Sequence, residues 1–235
     1  MKSSPAYIAG RFLCEGKTRF VAWVEVEGRR YKCYVPMSTK LSRYFNPVGC
    51  QVRMVYHGKR LWVDQIKCGH SWLWVNAAKA KDLMYVHLAR RGAKVESECL
   101  VSGYRFDLYR DGVGYEVKSI LTTEQVILYP NAESERREEQ LCRLLKLLRK
   151  GQKVELALVS LSPLLHKVKI DLGSSFGRKL RVAIAKGLKV SGWCVCNREQ
   201  LRVLRVEFKE KRTGMRNRTP SCTGTKPRPR ASAQS

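Results

Sequence analysis

Acidic residues are scarce in this chain: 20 Asp and Glu stand against 46 Lys and Arg over 235 residues, a formal net charge of +26 at neutral pH. Self-repulsion on that scale opposes compaction. It argues against an ordinary metabolic enzyme and for a polyanionic partner, nucleic acid ahead of a membrane surface. The nine cysteines include no C-x-x-C pair. An odd, scattered set fits free thiols of a reducing cytoplasm better than a disulfide framework. The two close pairings, Cys68-Gly-His70 and Cys194-Val-Cys196, lack a second ligand pair at zinc-finger spacing and read as small buried or edge thiols. Long apolar runs are missing too. The longest, 154–165, is interrupted by Glu155, Ser160, Ser162 and Pro163, too short to span a bilayer. Met1-Lys2-Ser3-Ser4-Pro5 leads into no apolar stretch, so no signal peptide is expected and the cytoplasm is the expected compartment. Neither a solenoid-period repeat nor a helix-turn-helix or other base-reading module is visible, which leaves little expectation of direct sequence readout.

What is present is enough for a folded protein. At 44% hydrophobic residues the chain reads as globular, and its length suits one or two domains that bury about 70% of the unfolded surface. Composition divides it in three. Residues 1–76 hold 12 of the 21 aromatics with 13 basic against 4 acidic residues; 77–208 carry 25 against 15 with longer aliphatic runs; 209–235 carry 8 against 1 in a Pro/Ser/Thr/Gly-rich stretch. The first part reads as short strands: Phe20, Ala22, Val24 and Val26 alternate, Glu27-Gly28 turns into 30–35, and 51–56 and 61–66 flank His57-Gly58. An OB-like barrel is the expectation, preferred to an SH3-like one. From Asn76 the period becomes helical to Arg91-Gly92. Strands at about 95–101, 104–110 and 113–120 follow, then a helix capped by Asn131 or Ser134 and ended by Lys150-Gly151. A strand at 154–161, a helix at 174–186 and strands at 189–196 and 201–208 complete a mixed α/β order. The tail from Lys209 has too little apolar content to fold and is expected to be disordered.

Residues 105–118 carry the most information. Asp111-Gly112 suits a two-residue type I′ turn, which pairs Arg110 with Val113 and sets Asp107 opposite Glu116. If all of 111–114 is loop, Asp107 faces Lys118 instead. Either register puts Asp107, Glu116 and Lys118 on one face and sends Tyr115 and Val117 toward a helix layer, because strand side chains repeat every two residues. A three-residue loop would move Asp107 to the wrong face. Two opposed carboxylates repel unless a cation lies between them, and hard oxygen ligands with an incomplete shell suit Mg²⁺ or Mn²⁺. Such a metal polarises a phosphodiester and lowers the pKa of a bound water, with Lys118 orienting that water or neutralising transition-state charge. The competing reading is a solvated face with a cross-strand ion pair, since E-x-K arises by chance in any Lys-rich protein.

This D…E-x-K arrangement resembles that of restriction-endonuclease-like, PD-(D/E)xK nucleases. A more specific resemblance rests on Arg105-Phe106-Asp107, Tyr115-Glu116-Val117-Lys118, Tyr129-Pro130-Asn131-Ala132 with Ser134-Glu135-Arg136, and Trp74-Val75-Asn76. Over roughly residues 7–206 the chain is similar to the sugar fermentation stimulation protein A (SfsA) family. It departs from that pattern at Pro36-Met37-Ser38-Thr39 and at Arg137. The resemblance implies an α+β protein: an N-terminal OB-like β-barrel that binds nucleic acid (1–76) and a C-terminal α/β restriction-endonuclease-like domain with a central mixed sheet (77–208). It implies Asp107 and Glu116 as metal ligands, Lys118 as the catalytic lysine, and Glu98 as a third acid completing the shell, against its reading as an exposed strand carboxylate. Glu135 falls on the family's acidic position and equally suits the first turn of a helix.

Nucleic acid, DNA or alternatively RNA, is the expected partner. No small-molecule substrate is identifiable, and the oligomeric state is not legible. In strand 30–35, parity places Arg30, Lys32 and Tyr34 on one side, basic groups interleaved with a ring as single-stranded or distorted nucleic acid requires. Trp23 extends that platform unless it and Tyr34 pack against the second domain. Lys40 and Arg43 rim the site, and tail residues Arg216, Arg218, Lys226, Arg228 and Arg230 would add affinity without specificity. Three functions compete: a metal-dependent phosphodiesterase, a non-catalytic DNA-binding regulator on a nuclease scaffold, and an RNA-associated accessory protein.

Overall fold

The computed structural model describes residues 6–37, 39–90, 92–130, 135–196 and 200–209. Strands β1 (Ile8–Glu15), β2 (Val21–Val26), β3 (Arg29–Tyr34), β4 (Gln51–His57) and β5 (Arg60–Cys68) form a barrel. In β2 the alternation works as expected: Ala22 and Val24 are fully buried while Trp23 faces outward. β1 pairs with both β2 and β4, β4 with β5, and a parallel contact between Tyr34 and Trp62 joins β3 to β5. The strand order 1-2-3-5-4-1 is the OB type of closure, the barrel expected from the turn pattern.

β6 (Ser71–Trp74) pairs antiparallel with β5 as the sixth strand of the barrel sheet and ties it to the second part: the Trp74 N–H donates to Leu161 O at 3.0 Å, and the Val75 N–H donates back to Asp64 O at 2.9 Å. α1 (Lys79–Ala89) then buries Ala80, Leu83, Met84 and Leu88, one stripe at helical spacing. That stripe belongs to a continuous core that runs from Phe12, Val52 and Met54 in the barrel to Leu108, Ala157, Val159 and Val195 beyond it.

The larger α/β sheet comprises β7 (Glu96–Val101), β8 (Tyr104–Arg110), β9 (Val113–Ile120), β11 (Lys153–Ser160), β13 (Lys189–Val195) and β14 (Leu201–Val203), ordered β14-β13-β11-β9-β8-β7. β9, β11 and β13 are parallel, and β14, β8 and β7 run against them. Its second face carries α2 (Glu135–Arg149) and α3 (Ser175–Ala185) through Leu141, Leu144, Phe176 and Leu180. The Ser174 hydroxyl caps α3 by accepting from the Gly177 N–H at 3.0 Å. A small parallel sheet, β10 (Val126–Tyr129), β12 (Lys167–Asp171) and β15 (Arg205–Lys209), completes the fold.

The expected mixed architecture is present, with differences in detail. Sequence reading placed no strand at β1, β6, β10 or β12. The single strand expected over 201–208 is two, β14 and β15, which enter different sheets. The caps expected at Asn131 or Ser134 and the tail 210–235 lie outside the described residues. Among the described residues no helix is long and apolar enough to cross a membrane.

Candidate active site

The hairpin β8–β9 adopts the first of the two registers: Arg110 pairs with Val113, Tyr109 with Gly114 and Leu108 with Tyr115. Asp111 (φ 49°) and Gly112 (φ 77°) both lie in the left-handed region that a type I′ turn demands. The next pair would be Asp107 and Glu116, and there the ladder stops. The Val117 N–H donates to Asp107 Oδ2 at 2.7 Å, so a side-chain carboxylate takes over a backbone acceptor's task. The β7–β8 ladder also skips Asp107, opposite Glu98 with φ 54°. Across this irregularity strand parity changes. Leu108 joins the core shared with the barrel, whereas Phe106 joins the core under α2 and α3, although regular pleating would put them on one face. Gly114 makes room for that ring, since a Cβ there would stand 2.4 Å from Phe106 Cε1.

Asp107, Glu116 and Lys118 line a single open cleft of about 810 Å³. Tyr115 and Val117 pack on the opposite, α1 side, as the alternation requires. Glu116 is buried, and both its oxygens are engaged: Lys118 Nζ lies 2.7 Å from Oε1, and the Tyr104 hydroxyl donates to Oε2 at 2.7 Å. Gln140 Nε2 donates in turn to the Tyr104 oxygen at 3.0 Å. Burial, then the neighbouring Glu116 charge, push the Asp107 carboxyl up to about 6. Burial and Glu116 likewise raise the Tyr104 phenol, keeping it a proton donor.

Across the cleft stands α2, which presents Arg136, Gln140 and Arg143 at intervals of four and three residues. Arg136, Arg143 and Arg105 of β8 make no ion pair with a described residue. Three guanidiniums without an ion-pair partner, in a cleft that also holds the carboxylates of Asp107, Glu116 and Glu139, suit phosphates more than any neutral ligand. Sequence reasoning gave no role to Tyr104, Gln140 or Arg143, and Arg136 appeared in it as part of a motif alone. The four-and-three spacing on the polar side of the Leu141/Leu144/Leu148 stripe was the available signal.

Other expected site residues fall outside the lining of this cleft. Glu98 is half-exposed, ion-paired to Lys81, and absent from the cleft lining. Glu135 opens α2 and lines a separate depression with Glu138 and Lys179. On the barrel, Lys32 and Tyr34 share one groove, whereas Arg30, Lys40 and Arg43 fall outside its lining. Tyr34 packs against Phe20 and Trp62 of the barrel itself, and Trp23 is 39% exposed. The described residues contain no group of three or more His, Cys, Asp or Glu suited to a metal. Asp107 and Glu116 are the hairpin carboxylates this cleft offers, and Glu139 of α2 also lines it.

The chain is thus a two-part protein, a five-stranded barrel joined through a helix to an α/β domain whose β8–β9 hairpin carries two acids and a lysine into one cleft. The family model for the sugar fermentation stimulation protein RE domain matches residues 74–200, more than half of the chain, and the chain belongs to that family. The solved structure of Pyrococcus furiosus SfsA in complex with Ca²⁺ superposes with a TM-score of 0.69 at 20% identity, covering 88% of this chain and 98% of that one, a likeness of fold. No curated protein matches the sequence significantly.

Proposed function

We propose that this protein is a Mg²⁺- or Mn²⁺-dependent nuclease that hydrolyses phosphodiester bonds of DNA or RNA. The observation that carries the reading is the convergence of Asp107, Glu116 and Lys118 in one open cleft also lined by Arg105, Arg136 and Arg143. The donor set fits a hard divalent cation: the carboxylates of Asp107 and Glu116, the first raised by burial and then by its neighbour's charge, in an open cleft with space for waters and substrate oxygens. The structural relative carries Ca²⁺, an ion of the same oxygen-seeking kind. When bound, such a metal supplies Lewis-acid activation of the phosphodiester and of a water.

The chain's own residues do the rest. Tyr104, held by Gln140, fixes the Glu116 carboxylate in place. Lys118, 2.7 Å from Glu116, stands where it can orient the attacking water or meet charge developing on the phosphoryl oxygens. Arg105, Arg136 and Arg143 hold flanking phosphates, so the P–O bond breaks to leave a phosphomonoester and a hydroxyl on strands still bound. The test is incubation of wild type, Asp107→Ala and Lys118→Ala with single-stranded, duplex and flap substrates, with Mn²⁺ and with EDTA. Cleavage requires the metal, disappears in Asp107→Ala, and drops by about 10²–10³ in Lys118→Ala, with nucleic-acid binding retained in both. Binding without cutting on every substrate and metal would instead favour the non-catalytic regulator, which the +26 charge supports equally well.

A further inference from the structure

The described cysteines are free thiols, and two of them meet where the β4–β5 hairpin opens. The ladder pairs Arg53 with Gln65 and Val52 with Ile66, and two steps further the same register sets Cys50 opposite Cys68. The side chains agree with that register. Lys67 Nζ donates to Gln51 Oε1 at 3.3 Å on the exposed face, whereas Cys50 and Cys68, one residue along, both pack against the barrel core. The Cys50 carbonyl accepts from the Phe12 N–H of β1 at 2.9 Å, and the Cys50 N–H donates to Pro47 O at 3.1 Å. Its backbone is thus engaged away from β5, which makes the pairing with Cys68 a non-hydrogen-bonded one. Opposed Cα atoms at such a position stand about 4.5 Å apart, at the short end of the roughly 4.4–6.8 Å span that a disulfide bridges. Burial, and after it the neighbouring Cys50, hold the Cys68 thiol up to about 11, and burial raises Cys50 as well. Among the described residues no other two cysteines are set opposite each other: Cys14 faces Trp23, Cys33 faces Ala22, Cys99 faces Phe106, and Cys194 lies between Ser160 and Arg202.

We propose that Cys50 and Cys68 form a dithiol that exchanges with small-molecule disulfides to make a reversible cross-strand bond, a modification site that does not rest on the nuclease reading. Cys50, the less buried of the two, attacks one sulfur of the small disulfide. A sulfur–sulfur bond to the protein forms as the reagent's own breaks, and one small thiolate leaves and takes up the proton that Cys50 gave away. The Cys68 thiolate then attacks the Cys50 sulfur, closes the cross-strand bond and expels the second small thiolate, which takes up the Cys68 proton. Two protein thiols are oxidised, and one disulfide is reduced to two thiols. Raised thiols make the exchange slow at neutral pH and faster as pH rises. A bond at the short end of the allowed span stores strain, so reduced small thiols reopen it.

The experiment incubates the full-length folded protein with oxidised glutathione at about pH 8, blocks the remaining thiols by alkylation and maps the linked peptides by mass spectrometry. In wild type the main linkage joins the peptide bearing Cys50 to the peptide bearing Cys68, and excess reduced glutathione returns both to thiols. Cys68→Ser removes the resolving thiol, so glutathione stays on Cys50 and that adduct accumulates to at least about fivefold its wild-type level. Three results would overturn the proposal. Cys50 and Cys68 could be alkylated as free thiols while other cysteines oxidise, their linkage could form in urea and not in the folded protein, or Cys68→Ser could hold no more adduct than wild type. The first two are read on the unaltered chain, so they stand whether or not the variant folds.

Discussion

At Asp107, burial and a second carboxylate act in the same direction, and the consequence is a stability cost at neutral pH. The carboxyl rises from an ordinary 3.8 to about 6. Between those values the folded state keeps a proton that the unfolded chain releases, so stability is fully present below about pH 4 and falls as pH rises toward 6. Asp107→Asn keeps an acceptor for the Val117 N–H and removes the charge. In EDTA the variant should therefore exceed wild type in stability at pH 7 by about 2–3 kcal/mol, with the difference vanishing near pH 4. Urea unfolding across that range checks it, and parallel pH profiles for the two proteins would disprove it. Asp107, Glu116 and Lys118 were legible in sequence because one tight turn sets their spacing. Tyr104 and Gln140 were not, since the contact between them spans 36 positions and exists once α2 is docked.

At the scale of elements, α2 divides its labour between two sides. Leu141, Leu144 and Leu148 seat it on the sheet, while Arg136, Gln140 and Arg143 overhang the cleft. If the arginines hold phosphates, Arg136→Gln with Arg143→Gln should lower the salt slope of binding by about 2 and raise KM, leaving the fold intact because neither guanidinium is paired. A double variant with unchanged salt slope would remove α2 from the binding surface. The helix itself was readable from its leucine spacing and its Lys150-Gly151 stop. Shorter elements were harder. β1 buries one residue fully, Phe12, so it shows no apolar alternation. Val126-Ile127-Leu128-Tyr129 is uniformly apolar and makes an edge strand, a pattern equally typical of a buried segment. The division of 201–208 into two strands follows Leu204, whose N–H donates to Gly192 O at 2.9 Å; a Cβ on Gly192 would stand 2.5 Å from Leu204 O.

For the whole molecule, the dominant quantity is the charge of +26. A partner that neutralises six phosphates gives a log–log salt slope of about −5, so affinity for a nucleic acid should fall by roughly 10³ between about 50 and 200 mM salt. Titrations at several salt concentrations measure it, and a flat response would mean that the excess charge serves something other than a polyanion. The same scale reveals how the two parts are joined: one core passes from the barrel through α1 to the sheet that bears the cleft, so the barrel and the cleft share a packed framework.

Sequence alone determined the excess of positive charge, the barrel-plus-α/β order and the placing of Asp107, Glu116 and Lys118 together on the hairpin, because charge, periodicity and a two-residue turn are local properties that survive without a fold. Tertiary structure decided which other side chains meet them: the Tyr104–Gln140 support and the arginines of α2, with Glu98 outside the cleft lining. Each of those depends on the distance between elements remote in the chain, which packing sets and residue spacing does not encode.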